Sequence, residues 1–190
     1  VNGTNGADKL TIPNYFYANF ANNNCAYAIS RLVFADGSEY NASQIRDLVA
    51  NGQSVIEGSP NNDVLIGSGL NETLRGNDKD DILLAYEGND NLSGNNGKDS
   101  LYGGQGNDSL DGGAGNDWLQ GDVGADIYRF GHGSGQDTIY NFDEDALNTN
   151  ADSILLGDGI AESDISLSKE GEDLVLSIKN TTDTLRIQNY

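Results

Sequence analysis

The chain has 190 residues, with 10 Lys and Arg against 30 Asp and Glu and a formal net charge of −20. That balance excludes nucleic acid and anionic membrane surfaces as partners, since both are bound through positive charge, and it suits a protein that binds cations. No apolar run reaches the length of a membrane span and no signal peptide is visible. The sequence starts at Val1 and has no Met, so it is read as a fragment excised from a longer protein. The single Cys25 allows no internal disulfide and is read as a small buried apolar residue.

In chain order, residues 1–57 predict a β-rich flank. "KLTIPNYF" (9–16) reads as a strand, and "YAISRLVFADGSEY" (27–40) as a hairpin turning at Asp36-Gly37. "SQIRDLVANG" reads as a short helix near 42–50 closed by Gly52. Residues 5–15, "NGADKLTIPNY", share the pattern N-x-x-D-x-L-x-I-x-N-Y with residues 180–190, "NTTDTLRIQNY". This predicts that the chain is slightly more than one period of a tandem array.

From Gly58 to Arg129 the sequence falls into unbroken nine-residue units: GSPNNDVLI, GSGLNETLR, GNDKDDILL, AYEGNDNLS, GNNGKDSLY, GGQGNDSLD, GGAGNDWLQ and GDVGADIYR. After a two-residue slip, "HGSGQDTIY" (132–140) adds another. Position six is acidic throughout: Asp63, Glu72, Asp81, Asp90, Asp99, Asp108, Asp117, Asp126 and Asp137. Position eight is apolar throughout, from Leu65 to Tyr128 and Ile139. The first six residues of a unit form a turn in which Gly at positions one, two and four permits positive φ and close backbone packing. The last three form a short strand whose middle side chain points inward. Two units then make one circuit, and eight make a coil of four circuits, ~20 Å long at the spacing of paired strands.

Stacking the circuits puts Asp81, Asp99 and Asp117 in one column and Asp90, Asp108 and Asp126 in another. Carboxylates stacked in this way repel unless a cation lies between them. Carboxylates and backbone carbonyls, with no His or Cys, are the hard oxygen donors that Ca²⁺ prefers, whereas Mg²⁺ demands a tighter octahedron. The units, best at GGQGND and GGAGND, resemble the RTX (haemolysin-type) calcium-binding family, whose nonapeptide repeat has this form. The resemblance implies an all-β, right-handed parallel β-roll over residues 58–140, with antiparallel β flanks and one short helix. It also implies ions between stacked turns, held by Asp81 with Asp99, Asp99 with Asp117, Asp90 with Asp108, Asp108 with Asp126, and Asp117 with Asp137. The backbone carbonyls implied as further ligands are those of Gly94, Asn96, Gly97, Gly103, Gly104, Gln105, Gly106, Gly112, Gly113, Ala114, Gly115, Gly121, Val123 and Gly124.

The early units depart from this pattern. Position four is Asn61, Leu70 and Lys79, and Glu72 replaces Asp, so these turns fit the calcium pattern less well than the later ones. Their outward residues are apolar (Val64, Ile66, Ile82, Leu84), which predicts that other protein covers the first half of the roll. Trp118 is read as packing against a flanking segment, with a ligand-stacking surface as the alternative. Residues 141–190 read as an antiparallel cap: SILL, then strands around Ile165–Leu167, Leu174–Ile178 and Leu185–Ile187. Tyr128, Phe130, Tyr140 and Phe142 are expected to seal the C-terminal end of the roll. The spaced acids of Asp143 to Ser153 fail as an EF-hand, which leaves a solvated acidic loop, or less readily a supplementary calcium site. His132 is read as a turn residue, because no nucleophile accompanies it.

The expectation is a non-catalytic module folded by Ca²⁺. By family resemblance it belongs to a protein secreted by, or displayed on, a bacterium and exported through type I secretion machinery. Its other partners are neighbouring repeats of the parent chain, and it does not insert in membranes. The alternatives are a tandem extender or ligand-binding repeat of an adhesin, and the passenger tail of a secreted enzyme.

Overall fold

The computed structural model describes residues 54–140 and 151–188 and, in the N-terminal region, the backbones of Arg31–Val33 and Glu39–Asn41. The chain divides into two compact units, Val1–Ile45 and Arg46–Tyr190. In the first, strand β1 (Arg31–Val33) pairs antiparallel with β2 (Glu39–Asn41), Arg31 opposite Asn41 and Val33 opposite Glu39. Asp36-Gly37 lies in the connection between them. The strand expected at 9–16 and the helix expected near 42–50 lie outside the described residues.

The second unit winds through β3 (Val55–Glu57), β4 (Val64–Ile66), β5 (Thr73–Asp78), β6 (Ile82–Glu87), β7 (Asn91–Gly97) and β8 (Ser100–Gln105). It continues through β9 (Ser109–Gly115), β10 (Trp118–Val123), β11 (Ile127–Phe130), β12 (Gln136–Tyr140) and β13 (Ser153–Leu156). It ends with β14 (Ile165–Glu170), β15 (Asp173–Ile178) and β16 (Thr184–Gln188). Odd strands β3 to β13 form one sheet, and even strands β4 to β12, followed by β16, β15 and β14, form the other. The pairing Leu74–Leu92–Leu110 in one sheet and Leu83–Leu101–Leu119 in the other fixes a period of two nonapeptides per coil. The result is an all-β parallel roll of about five coils.

Sequence dictates this winding locally. Position-eight leucines Leu74, Leu83, Leu92, Leu101, Leu110 and Leu119 are fully buried between the sheets. Each contributes ~1.5–3 kcal/mol of apolar burial. From Asn77 onward position two takes a left-handed conformation even where it is not glycine, as at Asn95 (φ 72°) and Asp122 (φ 67°), and position four does so at Gly106 (φ 131°). Those two residues turn the chain from one sheet to the other.

The roll extends beyond the regular units at both ends. β3 pairs in parallel with β5, so winding begins at Val55, ahead of Gly58. SILL is not part of an antiparallel cap: as β13 it pairs in parallel with β11, Ile154 opposite Tyr128. The antiparallel character belongs to β14–β15 and β15–β16, while β16 itself lies parallel to β12. Leu176, Ile178, Leu185 and Ile187 join the core cluster with Tyr128, Phe130 and Ile139, closing the C-terminal end. Tyr140 instead stacks on Trp118, ring centroids 5.8 Å apart, so strand β12 of the roll itself covers the tryptophan; Phe142 is outside the described residues. Of the outward apolar residues of the first half, Leu84 is buried, whereas Val64 is 52% exposed.

Candidate metal centre

The position-six acids form two hydrogen-bonded columns on opposite sides of the roll. In the first, the backbone N–H of Asp81 donates to Asp99 Oδ1 (2.8 Å), that of Asp99 to Asp117 Oδ1 (2.8 Å) and that of Asp117 to Asp137 Oδ1 (3.0 Å). In the second, the N–H of Glu72 donates to Asp90 Oδ1 (2.7 Å), Asp90 to Asp108 (2.8 Å) and Asp108 to Asp126 (2.8 Å). That column continues into the acidic stretch read as a solvated loop or, less readily, a supplementary calcium site, because the Asp126 N–H donates to Asp152 Oδ1 (2.8 Å). Asp152-Ser153-Ile154 keeps the acid–x–apolar spacing of a unit; without the turn glycines it went unrecognised.

One oxygen of each carboxylate is therefore committed to the preceding coil. The other, Oδ2 of Asp81, Asp90, Asp99, Asp108, Asp117 and Asp126, is buried and has no hydrogen-bond partner. Burial raises all of these carboxyls above the usual 3.8: Asp90, Asp99 and Asp126 to about 7, Asp108 and Asp117 to about 6. Asp81 is raised too, and burial carries Asp137 to about 8. An anionic oxygen removed from water without a partner costs several kcal/mol. Six of them in register call for cations.

The surroundings of Oδ2 explain the position-one glycine. These glycines do not have positive φ, contrary to the sequence expectation for that position. A Cβ on Gly94 would lie closer than 3.0 Å to both Asp99 Oδ2 and the Gly112 carbonyl oxygen. Asp108 Oδ2 and the Gly121 carbonyl crowd Gly103 in the same way, as do Asp81 Oδ2 and the Gly94 carbonyl at Gly76. Glycine is needed there for space: it lets a carboxylate and a carbonyl from the following coil share one niche. Gly94→Ala should therefore lose more than ~2 kcal/mol of stability in Ca²⁺, while Gly131→Ala, with nothing nearer than 3.6 Å, should melt like the parent; calorimetry of both variants checks this.

The other sequence-derived ligands divide. The carbonyls of Gln105 and Val123 already accept the N–H groups of Gly88 and Gly106 (2.8 Å each), leaving one lone pair apiece. Those of Gly97 and Gly106 point along the column toward Gly115 and Gly124. In the first coil the carboxylates are satisfied without an ion. Asp63 Oδ2 accepts from the Ser59 N–H (2.6 Å) and hydroxyl (2.9 Å), and Glu72 accepts from the Ser68 N–H (3.2 Å) and hydroxyl. A second ladder was not foreseen: position-five side-chain oxygens of Asn71, Asn89 and Asn107 accept the N–H groups of Asn89, Asn107 and Ala125. The Asn of G-N-D was its visible trace.

Among the described residues no three His, Cys, Asp or Glu side chains converge on a point. A cation would thus be held by few carboxylates and several carbonyls, an oxygen-rich, flexible set that fits Ca²⁺. The family model for the RTX calcium-binding nonapeptide repeat (4 copies) matches residues 66–101, 93–128 and 102–139.

The chain carries RTX calcium-binding repeats.

A haemolysin-type calcium binding protein related domain matches residues 1–44 and 173–190, on either side of the RTX roll. No curated protein matches the chain. Among solved structures, the RTX chain is similar to a subunit of the mannuronan C5-epimerase from Azotobacter vinelandii, determined in solution. The identity is 26%, over 69% of this chain and 72% of that one, with a TM-score of 0.24. RTX repeats bind Ca²⁺ and are typical of extracellular bacterial proteins. Among the described residues no helix is long and apolar enough to cross a membrane.

Proposed function

We propose that this chain is a non-catalytic module that folds when Ca²⁺ enters the roll, and that it serves the extracellular folding of a larger protein exported by type I secretion. The observation that carries this reading is the set of six buried Oδ2 atoms with no partner. Each ion lies between coils: Asp99 and Asp117 with the Gly112 carbonyl, Asp81 and Asp99 with that of Gly94, Asp108 and Asp126 with that of Gly121. Asp90 with Asp108, and Asp117 with Asp137, complete the set. Carbonyls at positions one to four supply the remaining oxygens. Where calcium is scarce, unpaired carboxylates oppose winding and the chain stays open for export; where it is abundant, the ions close the columns. A second reading, a spacer in a repetitive surface protein, is favoured by the N-x-x-D-x-L-x-I-x-N-Y pattern at both 5–15 and 180–190.

Far-ultraviolet circular dichroism of the full chain, started in EGTA and titrated with Ca²⁺, tests the module reading. The expected result is a steep rise in β signal that Mg²⁺ does not reproduce. A β spectrum in EGTA at pH 8 that calcium leaves unchanged would reject calcium-driven folding.

A further inference from the structure

The turn after β11 carries the two-residue slip, so Asp117 meets Asp137 twenty residues on, where Asp99 meets Asp117 eighteen on. Phe130, buried in the core, anchors it. The longer turn is fixed from within and by the cap. The Gly131 N–H donates to Ser134 Oγ (3.0 Å), and both oxygens of Asp183 accept from the turn, Oδ2 from Gly133 and Oδ1 from Gly135 (3.0 Å each). It also stands clear of its neighbours: a Cβ on Gly133 would meet nothing within 4 Å, whereas one on Gly94 would strike a carboxylate and a carbonyl.

The space left is a cavity of 530 Å³ that spans three successive coils of the odd-strand sheet. Asp111, Arg129 and Leu155 line it from β9, β11 and β13, where they stand side by side in register. His132, Ser134 and Asp158 line it from the turns that follow β11 and β13. The volume is that of a small-molecule site.

Arg129 gives the cavity its chemistry. The chain has 30 acids, and the other arginines of this unit's described residues use them: Arg75 pairs with Glu57, and Arg186 with Glu170 and Asp173. Among the described residues Arg129 pairs with no carboxylate, although Asp111 lies opposite it on β9. Its Nε donates to Ser109 Oγ (3.2 Å), and its terminal N–H groups meet no acceptor among the described residues. Such a planar fork matches a carboxylate. Asp111 and Asp158 accept only; they repel a bare anion but take hydroxyl or amino donors. Leu155, 48% exposed, offers an apolar contact.

We propose that this cavity binds a small organic carboxylate that carries its own hydroxyl or amino donors, as a sugar acid or a free amino acid does. Arg129 clamps the carboxylate, the His132 ring donates beside it, and Asp111 and Asp158 accept from the rest of the ligand. The cavity exists only when three coils are stacked, and its turns run on into Asp117 and Asp137. It therefore forms with the calcium-loaded roll, a dependence that rests on the calcium-driven folding proposed above. The ions also offset the negative field that would keep an anion away.

The test is isothermal titration calorimetry of the full chain in Ca²⁺ with glucuronate, leucine and, as a carboxylate without further donors, propionate. Glucuronate or leucine should bind with a Kd of ~1 mM or tighter, and propionate at least several-fold more weakly; which of the two binds separates a sugar acid from an amino acid. Arg129→Ala should weaken that binding at least ~10-fold. Arg129→Lys, which keeps the charge without the fork, should weaken it several-fold and decides the matter if the Ala variant fails to fold. Both variants should keep the parent's calcium midpoint by circular dichroism. By linkage, saturating ligand should lower that midpoint in the parent and leave it unmoved in Arg129→Ala. Binding of neither glucuronate nor leucine to the calcium-folded chain, or equal binding by the Arg129 variants, overturns the proposal. A parent that is folded and binds in EGTA upholds the site and rejects calcium-driven folding, so the two failures are distinct.

Discussion

Replacing Asp99 and Asp108 together by Ala should remove nearly all of the calcium-induced folding at about 2 mM Ca²⁺. Each aspartate lies at the middle of its column and belongs to two proposed sites, one with the coil before it and one with the coil after. With extracellular-type affinities near ~10⁻⁴ M, each ion adds ~1.8 kcal/mol at that concentration. Losing four such terms removes about 7 kcal/mol, comparable with the whole net stability of a domain. Their Oδ1 atoms also accept the N–H groups of Asp81 and Asp90, so the ladder is broken as well. A circular dichroism titration in which the double variant keeps the parent's midpoint and amplitude would refute this assignment of the ligands. The same exchange at Asp63 should change little, because Ser59 already satisfies that carboxylate.

Without calcium, the roll should be most stable in acid and should fail as the pH rises through neutrality. The reason is the direction of the shifts. Burial lifts the column carboxyls from 3.8 to about 6 to 8, so folding favours their protonated forms. A raised folded-state value gives stability that is complete below the unfolded value and is lost as pH climbs through the folded one. One unit is ~1.4 kcal/mol, so shifts of this size at several positions rival the stability of the domain. In EGTA, β signal and cooperative melting are therefore expected at pH 4 to 5 and lost by about pH 8. With calcium the dependence reverses, since ion and proton compete for the same oxygens: the calcium midpoint should rise at least several-fold per unit as pH falls below about 7. A metal-free roll equally stable at pH 4.5 and pH 8 would contradict the burial of these groups.

The nonapeptide period made most of the fold legible in advance. An acid at position six and an apolar residue at position eight, unbroken from Asp63 to Tyr128 and resumed after a two-residue slip at Asp137 and Ile139, determined the parallel coil, the two columns and the leucine core, because each unit repeats the same local geometry and only one winding keeps all of them in phase. The same period pointed to calcium, since it places carboxylates and carbonyls together without His or Cys. The ends were not legible. Ser54 stands where a unit would have its acid and Asp152 in a unit without turn glycines, so only pairing with β5 and β11 revealed that the roll reaches them.

Nor could the period say why position one is glycine. Backbone freedom and room for a neighbouring carboxylate leave the same residue in the sequence; they separate only when the Gly112 carbonyl and Asp99 Oδ2 are seen converging on Gly94. Which oxygen of each aspartate is committed to the ladder, and which is left for an ion, depends on contacts between residues a full coil apart. Trp118 resting on Tyr140 and Asp183 closing the last turn are likewise long-range contacts. Local periodicity specifies what recurs in every unit, whereas the ion niches, the plugs and the cap arise only where one coil is laid on the next.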